Sequence, residues 1–189
     1  PQVEDNTLYV GWRTVPRGHG DEAALDVAAW ILSGGRGTRL DDRMYYKSNL
    51  AVDDGVYSIA SELDGLFLTY VTVDGTPLAK TEKVVMKTIA SLVKKPPTGA
   101  ELHRAKRSIR NRILGRLETP DDRVGVLVEC TRLKGTPDCV KAELDAIDAV
   151  TADDVIDAVR RWLPPDKRIV LSVVPTTVEL EDVEKVELP

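Results

Sequence analysis

Alternating hydrophobic and polar positions occur in four segments of the chain, and this period of two predicts β-strands. Asp64-Gly65 between the second and third segments predicts a tight hairpin turn. The last segment contains the run Ile-Val-Leu-Ser-Val, which predicts that its strand is buried. The predicted strands cover residues 8–15, 51–61, 66–74 and 168–174.

Hydrophobic positions three or four residues apart predict helices in the rest of the chain. Thr98 and Glu101 have the spacing of a capping box, and Thr151 is a second predicted cap. Pro-Pro pairs at residues 96–97 and 164–165 end two of these helices. The predicted helices begin near Asp21, Thr38, Leu78, Thr98, Thr119, Gly135 and Thr151.

The order of elements predicts an α+β fold. One strand is followed by two helices, a hairpin, several helices and a final strand that returns to the same sheet. This order favours a two-layer sandwich of a small, mostly antiparallel sheet with helices packed mainly on one face. We expect a single domain over residues 1–175 and an acidic tail or linker over residues 176–189.

Composition narrows the class of protein further. The 189 residues are 42% hydrophobic and 30% charged, with a net charge of -5. This charge gives no global attraction to nucleic acid or to an anionic membrane, and no apolar run approaches the ~20 residues of a bilayer span. Residues 1–5 include neither an initiator Met nor a signal-peptide pattern, so we interpret the chain as a piece of a longer protein. Its compartment stays open between cell envelope, periplasm and cytoplasm.

Cys130 and Cys139 are the only cysteines. Their spacing fits neither a zinc finger nor a thioredoxin motif. Two free thiols are the favoured interpretation, because free cysteines are often buried. A disulfide between them is left open.

Two stretches of the chain partly match motifs that bind zinc or phosphate. The stretch from His19 to Ala23 begins like a zinc-peptidase motif but has Ala at its second His position, and His103 has no ligand set around it. The Gly-rich residues 34–39 follow a predicted helix and lack the Gly-Lys-Ser/Thr signature of a phosphate loop. We therefore predict no catalytic, cofactor-binding or metal-binding residue in this chain.

The predicted helix after Thr98 is strongly basic. A nucleic-acid patch is one hypothesis; a solvated helix face or a contact with a partner domain is the favoured alternative. Its basic residues are His103, Arg104, Lys106, Arg107, Arg110, Arg112 and Arg116.

Five stretches in order resemble the peptidase M16 family of insulinase- and pitrilysin-like zinc metallopeptidases, specifically the second domain of a two-domain half. The first resembles a Leu-Gly-Gly-Gly-x-Ser-Ser-Arg-Leu pattern, the third Glu-Leu-x-Arg-Ala-Lys, and the fourth Ile-x-x-Val-Thr-x-x-Asp-Val. The resemblance implies the LuxS/M16 metallohydrolase-like fold. The stretches are residues 32–40, 63–67, 98–106, 147–155 and the strand ending at Pro175.

In this family a first domain carries the zinc motif His-x-x-Glu-His. A later domain of the opposing half supplies an Arg and a Tyr that contact substrate. Aligned on Arg39-Leu40, those two positions fall on Tyr45 and Val52, which cannot replace a guanidinium and a phenol. The resemblance therefore implies a non-catalytic, chamber-forming domain beside the zinc domain of a peptide-cleaving endopeptidase. Its implied partners are that zinc domain, the opposing half and a peptide substrate, with zinc in the other domain.

Two alternatives remain. The chain could belong to a catalytically silent M16-like scaffold or partner subunit, or it could bind nucleic acid through the basic helix. We expect no nucleic-acid binding and no membrane span in this segment.

Overall fold

The computed structural model describes residues 5–46, 51–74 and 76–175. Four strands form one antiparallel sheet in the spatial order β2-β3-β1-β4. The strands are β1 (Asn6–Thr14), β2 (Asp53–Ala60), β3 (Gly65–Val73) and β4 (Ile169–Val173). The predicted α+β fold is confirmed.

Helices cover one face of this sheet. They are α1 (Glu22–Ser33), α2 (Arg39–Asp41), α3 (Leu78–Lys94), α4 (Gly99–Gly115), α5 (Pro120–Lys134), α6 (Val140–Ala149) and α7 (Ala152–Trp162). A π-helical turn at Asp42–Tyr46 continues α2. The predicted faces of α1, α3 and α4 are inward: Leu25, Leu32, Ile89 and Ile109 are all at most 3% exposed.

Capping side chains fix where two helices begin. The Thr98 hydroxyl accepts a hydrogen bond from the Glu101 amide at 3.2 Å, and the Glu101 carboxylate accepts one from the Thr98 amide at 2.8 Å. Thr151 and Asp154 form a second reciprocal box at the start of α7. Both predicted caps are confirmed.

The hairpin between β2 and β3 is present, but its glycine has a different role from the one predicted. Ala60 pairs with Gly65, so residues 61–64 form the loop and Gly65 already lies in β3. Gly65 is required by space, because a Cβ there would lie 2.3 Å from the Val15 carbonyl oxygen and 2.9 Å from that of Ile59.

The prediction of a buried last strand was wrong. β4 is an edge strand that pairs with β1 alone among the described strands. Ile169 and Leu171 are 72% and 56% exposed. The apolar run requires a strand partner, which β1 provides, and no described residue covers its exposed side chains.

The interpretation of two free thiols was also wrong. Cys130 on α5 and Cys139 before α6 form a disulfide with a Cα–Cα distance of 5.4 Å. It spans the turn that begins at Gly135, whose φ of 70° ends α5 in the left-handed conformation. Three apolar residues of α5, Val124, Leu127 and Val128, are 59%, 49% and 60% exposed.

Candidate interaction surface

The sheet face opposite the helices is apolar and uncovered by the described residues. Pairing places Tyr9 opposite both Tyr70 and Leu171, and Tyr57 opposite Leu68. Because side chains alternate between the two faces of a strand, these positions share one face with others two residues away. We call this set the outer face: Tyr9, Tyr57, Ile59, Leu66, Leu68, Tyr70, Ile169 and Leu171.

Three tyrosines cross the outer face from β1 to β2. The Tyr57 and Tyr70 rings stack with centroids 6.1 Å apart, and the Tyr9 ring lies 6.2 Å from that of Tyr70. The Tyr70 hydroxyl donates a hydrogen bond to the Asp53 carboxylate at 2.8 Å. Partial burial, that hydrogen bond and the Asp53 charge raise the pKa of Tyr70. The Tyr70 phenol therefore stays neutral, and the three rings can serve as binding groups.

A groove of about 470 Å³ runs along this face. Gly11 lines it, and a Cβ at this position would come within 3.5 Å of Leu66 and 3.6 Å of Leu68. Leu68 and Leu171 also line the groove, as do Arg13 and Asp64, which form an ion pair of 3.1 Å. An apolar channel beside an edge strand suits an extended apolar segment.

The two histidines do not form a zinc site. His19 Nδ1 accepts a hydrogen bond from the Asp21 amide at 3.0 Å, and its ring packs edge-on against Trp162. His103 lies exposed on α4. Within the described ranges, no three His, Cys, Asp or Glu side chains lie close enough to hold a metal ion. The donors described here therefore do not fit a catalytic zinc.

Arg39, which lies in the first stretch that resembles the M16 family, makes its hydrogen bonds within the domain. Its guanidinium donates to both Glu101 carboxylate oxygens at 2.7 and 3.0 Å and to the Ser91 and Lys95 carbonyls at 2.9 Å. It thus joins α2 to the end of α3 and the start of α4. The Arg39 hydrogen bond is the main cause that lowers the pKa of Glu101 to about 2.

The two positions aligned with the family's substrate-contacting Arg and Tyr lie near β2. Burial is the main cause that raises the pKa of Tyr45 to about 12, with a further contribution from Asp54. Val52 is 56% exposed just before β2. Neither side chain offers a charged donor, and residues 47–50 between them lie outside the described part of the chain.

Several basic residues of α4, and Arg116 directly after it, contact acidic or aromatic groups of this same domain. Lys106 donates to the Asp148 carbonyl at 2.7 Å, and Arg110 pairs with the Asp148 carboxylate. Arg112 lies 5.8 Å from the Trp30 ring centroid, and Arg116 pairs with Glu129. These contacts fasten α5 and α6 to α4. They reduce the charge available to nucleic acid, whose binding stays an untested alternative.

No helix of the described residues has the length and apolar character to cross a bilayer. A comparison with curated protein sequences finds no significant match.

Solved structures share this fold. A protease from Helicobacter pylori superposes with a TM-score of 0.82 at 17% identity over 92% of this chain and 42% of that one. The inactive peptidase domain of a presumed zinc protease from Bordetella parapertussis gives 0.81 at 21% identity, over 93% and 95% of the two chains. A peptidase M16 inactive domain from Pseudomonas fluorescens gives 0.76 at 26% identity, over 95% and 42%.

This chain thus spans less than half of two of those proteins and nearly all of the third. The family model of the peptidase M16 inactive domain matches residues 1–109, which include β1 to β3 and most of α4. The chain belongs to the peptidase M16 inactive domain family.

Proposed function

We propose that this domain forms part of the wall of a peptide-holding chamber in a zinc endopeptidase, with the outer face directed toward the peptide. The zinc would be held by another domain, packed beside this one. The observation that carries the proposal is an apolar sheet face that no described residue covers, in a member of the peptidase M16 inactive domain family. Leu66, Ile169 and Leu171 are 39%, 72% and 56% exposed on it.

The chemistry of the outer face supports a binding role. Its phenols and aliphatic side chains supply contact area without a nucleophile. The edge of β4 that pairs with no described strand offers backbone hydrogen-bonding groups to an extended chain. Large exposed apolar patches are rare on soluble domains, and where they occur they often mark interaction sites. We therefore expect binding of extended segments with little sequence preference and no cleavage by this chain alone.

The experiment is an NMR titration of the ¹⁵N-labelled 189-residue chain with a short, unstructured apolar peptide. We expect amide shifts in β1, β3 and β4, and loss of these shifts in Leu171→Asp. The matched control is Val124→Asp, which places the same charge on the exposed apolar side of α5. Equal binding by both variants, or metal-dependent cleavage by the chain itself, contradicts the proposal.

The sequence of the full-length parent protein distinguishes the endopeptidase from the alternative, a silent scaffold subunit. A His-x-x-Glu-His motif roughly one domain upstream, about 200 residues, supports the endopeptidase; its absence supports the scaffold.

A further inference from the structure

A second cavity lies among the helices, away from the groove of the outer face. Its volume is about 390 Å³, and it is enclosed by the loop before α1, by α1 itself, and by α5 and α6. Much of its wall is apolar, including Ala23, Val126, Ala142, Ile147 and the disulfide cysteines. The disulfide holds two of the enclosing helices together at this wall.

Acidic side chains outnumber basic ones around this cavity by five to three. Glu129 is already neutralised, because both Arg17 and Arg116 pair with it. The ammonium of Lys134 lies beside Gly18, only 2.5 Å from where a Cβ on that glycine would be. The remaining acids include Glu22, whose carboxylate accepts a hydrogen bond from the Gly18 amide at 2.5 Å.

Asp26 is the acid in the most unusual position. It stands in α1 between the buried residues Leu25 and Val27 and lines the cavity. Burial is the main cause that raises the pKa of this carboxyl to about 6, against a hydrogen bond from Ser58 and the charge of Arg112. No Lys or Arg of the described segments forms an ion pair with it within 4 Å, and Arg112 lies over the Trp30 ring instead. A half-buried carboxylate that lines the cavity without an ion-pair partner among the described residues would gain a counter-charge from a cation that enters.

We propose that this cavity binds a small organic cation, a primary ammonium on an apolar chain, with Asp26 as its counter-charge and Glu22 and Glu143 as the outer acidic groups. The ammonium supplies three donors to carboxylate oxygens, and the alkyl chain lies against the alanines and Val126. The inference does not depend on the chamber role, since the cavity and the outer face share no lining residue.

The test is an NMR titration of the 189-residue chain with hexylamine in phosphate buffer at pH 7.5. Hexanol is the neutral probe of the same shape, and hexanoate is the anionic one. We expect a dissociation constant on the order of millimolar for hexylamine, with amide shifts at Ala23, Asp26 and Ala142. In Asp26→Asn the constant should rise about tenfold or more, while hexanol binding stays unchanged.

The control variant is Asp157→Asn, the same substitution at a carboxylate that is 63% exposed on α7; it should leave hexylamine binding intact. Binding of hexanol or hexanoate as tight as that of hexylamine overturns the proposal, as does unchanged affinity in Asp26→Asn. Nα-acetyl-lysine methylamide, tested beside hexylamine, separates two sources of the same chemistry. Tighter binding of the lysine derivative assigns the ligand to a peptide side chain, and tighter binding of hexylamine assigns it to a free amine.

Discussion

The two faces of the sheet have similar side chains and opposite surroundings. On β3, Phe67 is fully buried under the helices, whereas the adjacent Leu66 is 39% exposed on the outer face. A sheet with one solvated face usually has polar residues there. Here both faces are apolar, so burial within the domain accounts for one face, and our proposal assigns the other to binding. On this proposal, stability and binding depend on opposite sides of the same strands.

The largest difference in stability between the faces is expected when Phe67 and Leu66 are each truncated to Ala. Phe67→Ala should lower the free energy of unfolding by about 3–5 kcal/mol, because it leaves a cavity in the core. Leu66→Ala should cost about 1 kcal/mol or less, because its side chain already contacts solvent. Urea denaturation followed by circular dichroism measures both. Similar losses in the two variants would contradict the distinction between the faces.

The helix layer should respond strongly to loss of Arg39. Arg39→Ala removes the guanidinium, so the half-buried Glu101 carboxylate loses its ion-pair partner and the Ser91 and Lys95 carbonyls each lose one donor. We expect a loss of about 2–4 kcal/mol. Arg104→Ala, at an exposed position on α4, is the matched control and should change stability by about 0.5 kcal/mol or less. The same denaturation assay compares them, and equal effects would show that Arg39 does not fasten these helices.

The Arg39–Glu101 ion pair should make part of the stability of the helix layer sensitive to acid. The pKa of Glu101 is lowered to about 2 in the folded chain, below its value of about 4.3 in an unfolded one. The stabilisation by ionised Glu101 is therefore present above the pKa of the unfolded state and is lost as pH falls through the pKa of the folded state. After discounting for partial solvent screening, we expect about 1–3 kcal/mol. Glu101→Gln should show a flatter decline in stability between about pH 5 and 2 than the parent sequence; an identical decline would contradict this.

A smaller effect of opposite sign is expected at Asp26. Its pKa is raised to about 6, so the folded state holds the proton more tightly than the unfolded state does. Ionisation of Asp26 therefore opposes folding increasingly as pH rises from the pKa of the unfolded state through the pKa of the folded state. Asp26→Asn should raise the free energy of unfolding at pH 7.5 by about 1–2 kcal/mol. The gain should nearly vanish at pH 4, and thermal denaturation at the two pH values shows whether it does.

Much of the helix layer could be predicted from the sequence because its signals are local. The caps at Thr98 and Thr151 depend on residues three apart, and the faces containing Leu25 and Ile109 follow a simple period. β4 shows the limit of this reasoning. Its apolar run indicates a strand, but whether a strand lies at the centre or the edge depends on which other strands pair with it.

The sites depended on contacts between distant residues. The disulfide requires the turn at Gly135 to bring Cys130 and Cys139 together, and the outer face emerges only from the register of four strands. The cavity needs three helices to enclose it. One signal was available in the sequence: Asp26 stands inside the apolar segment from Ala24 to Ala29, where a carboxylate would be buried.

The most direct test of the chamber-wall proposal is carbene labelling of the outer face in the full-length parent protein, with metal removed by a chelator to prevent cleavage. We predict that Tyr57, Leu66 and Leu171 are labelled without peptide and are protected when an unfolded peptide is added, while Val124 on α5 is unchanged by the peptide. Protection of the outer face before any peptide is added would instead make it a permanent contact between domains and would contradict the account, as would labelling that peptide does not alter.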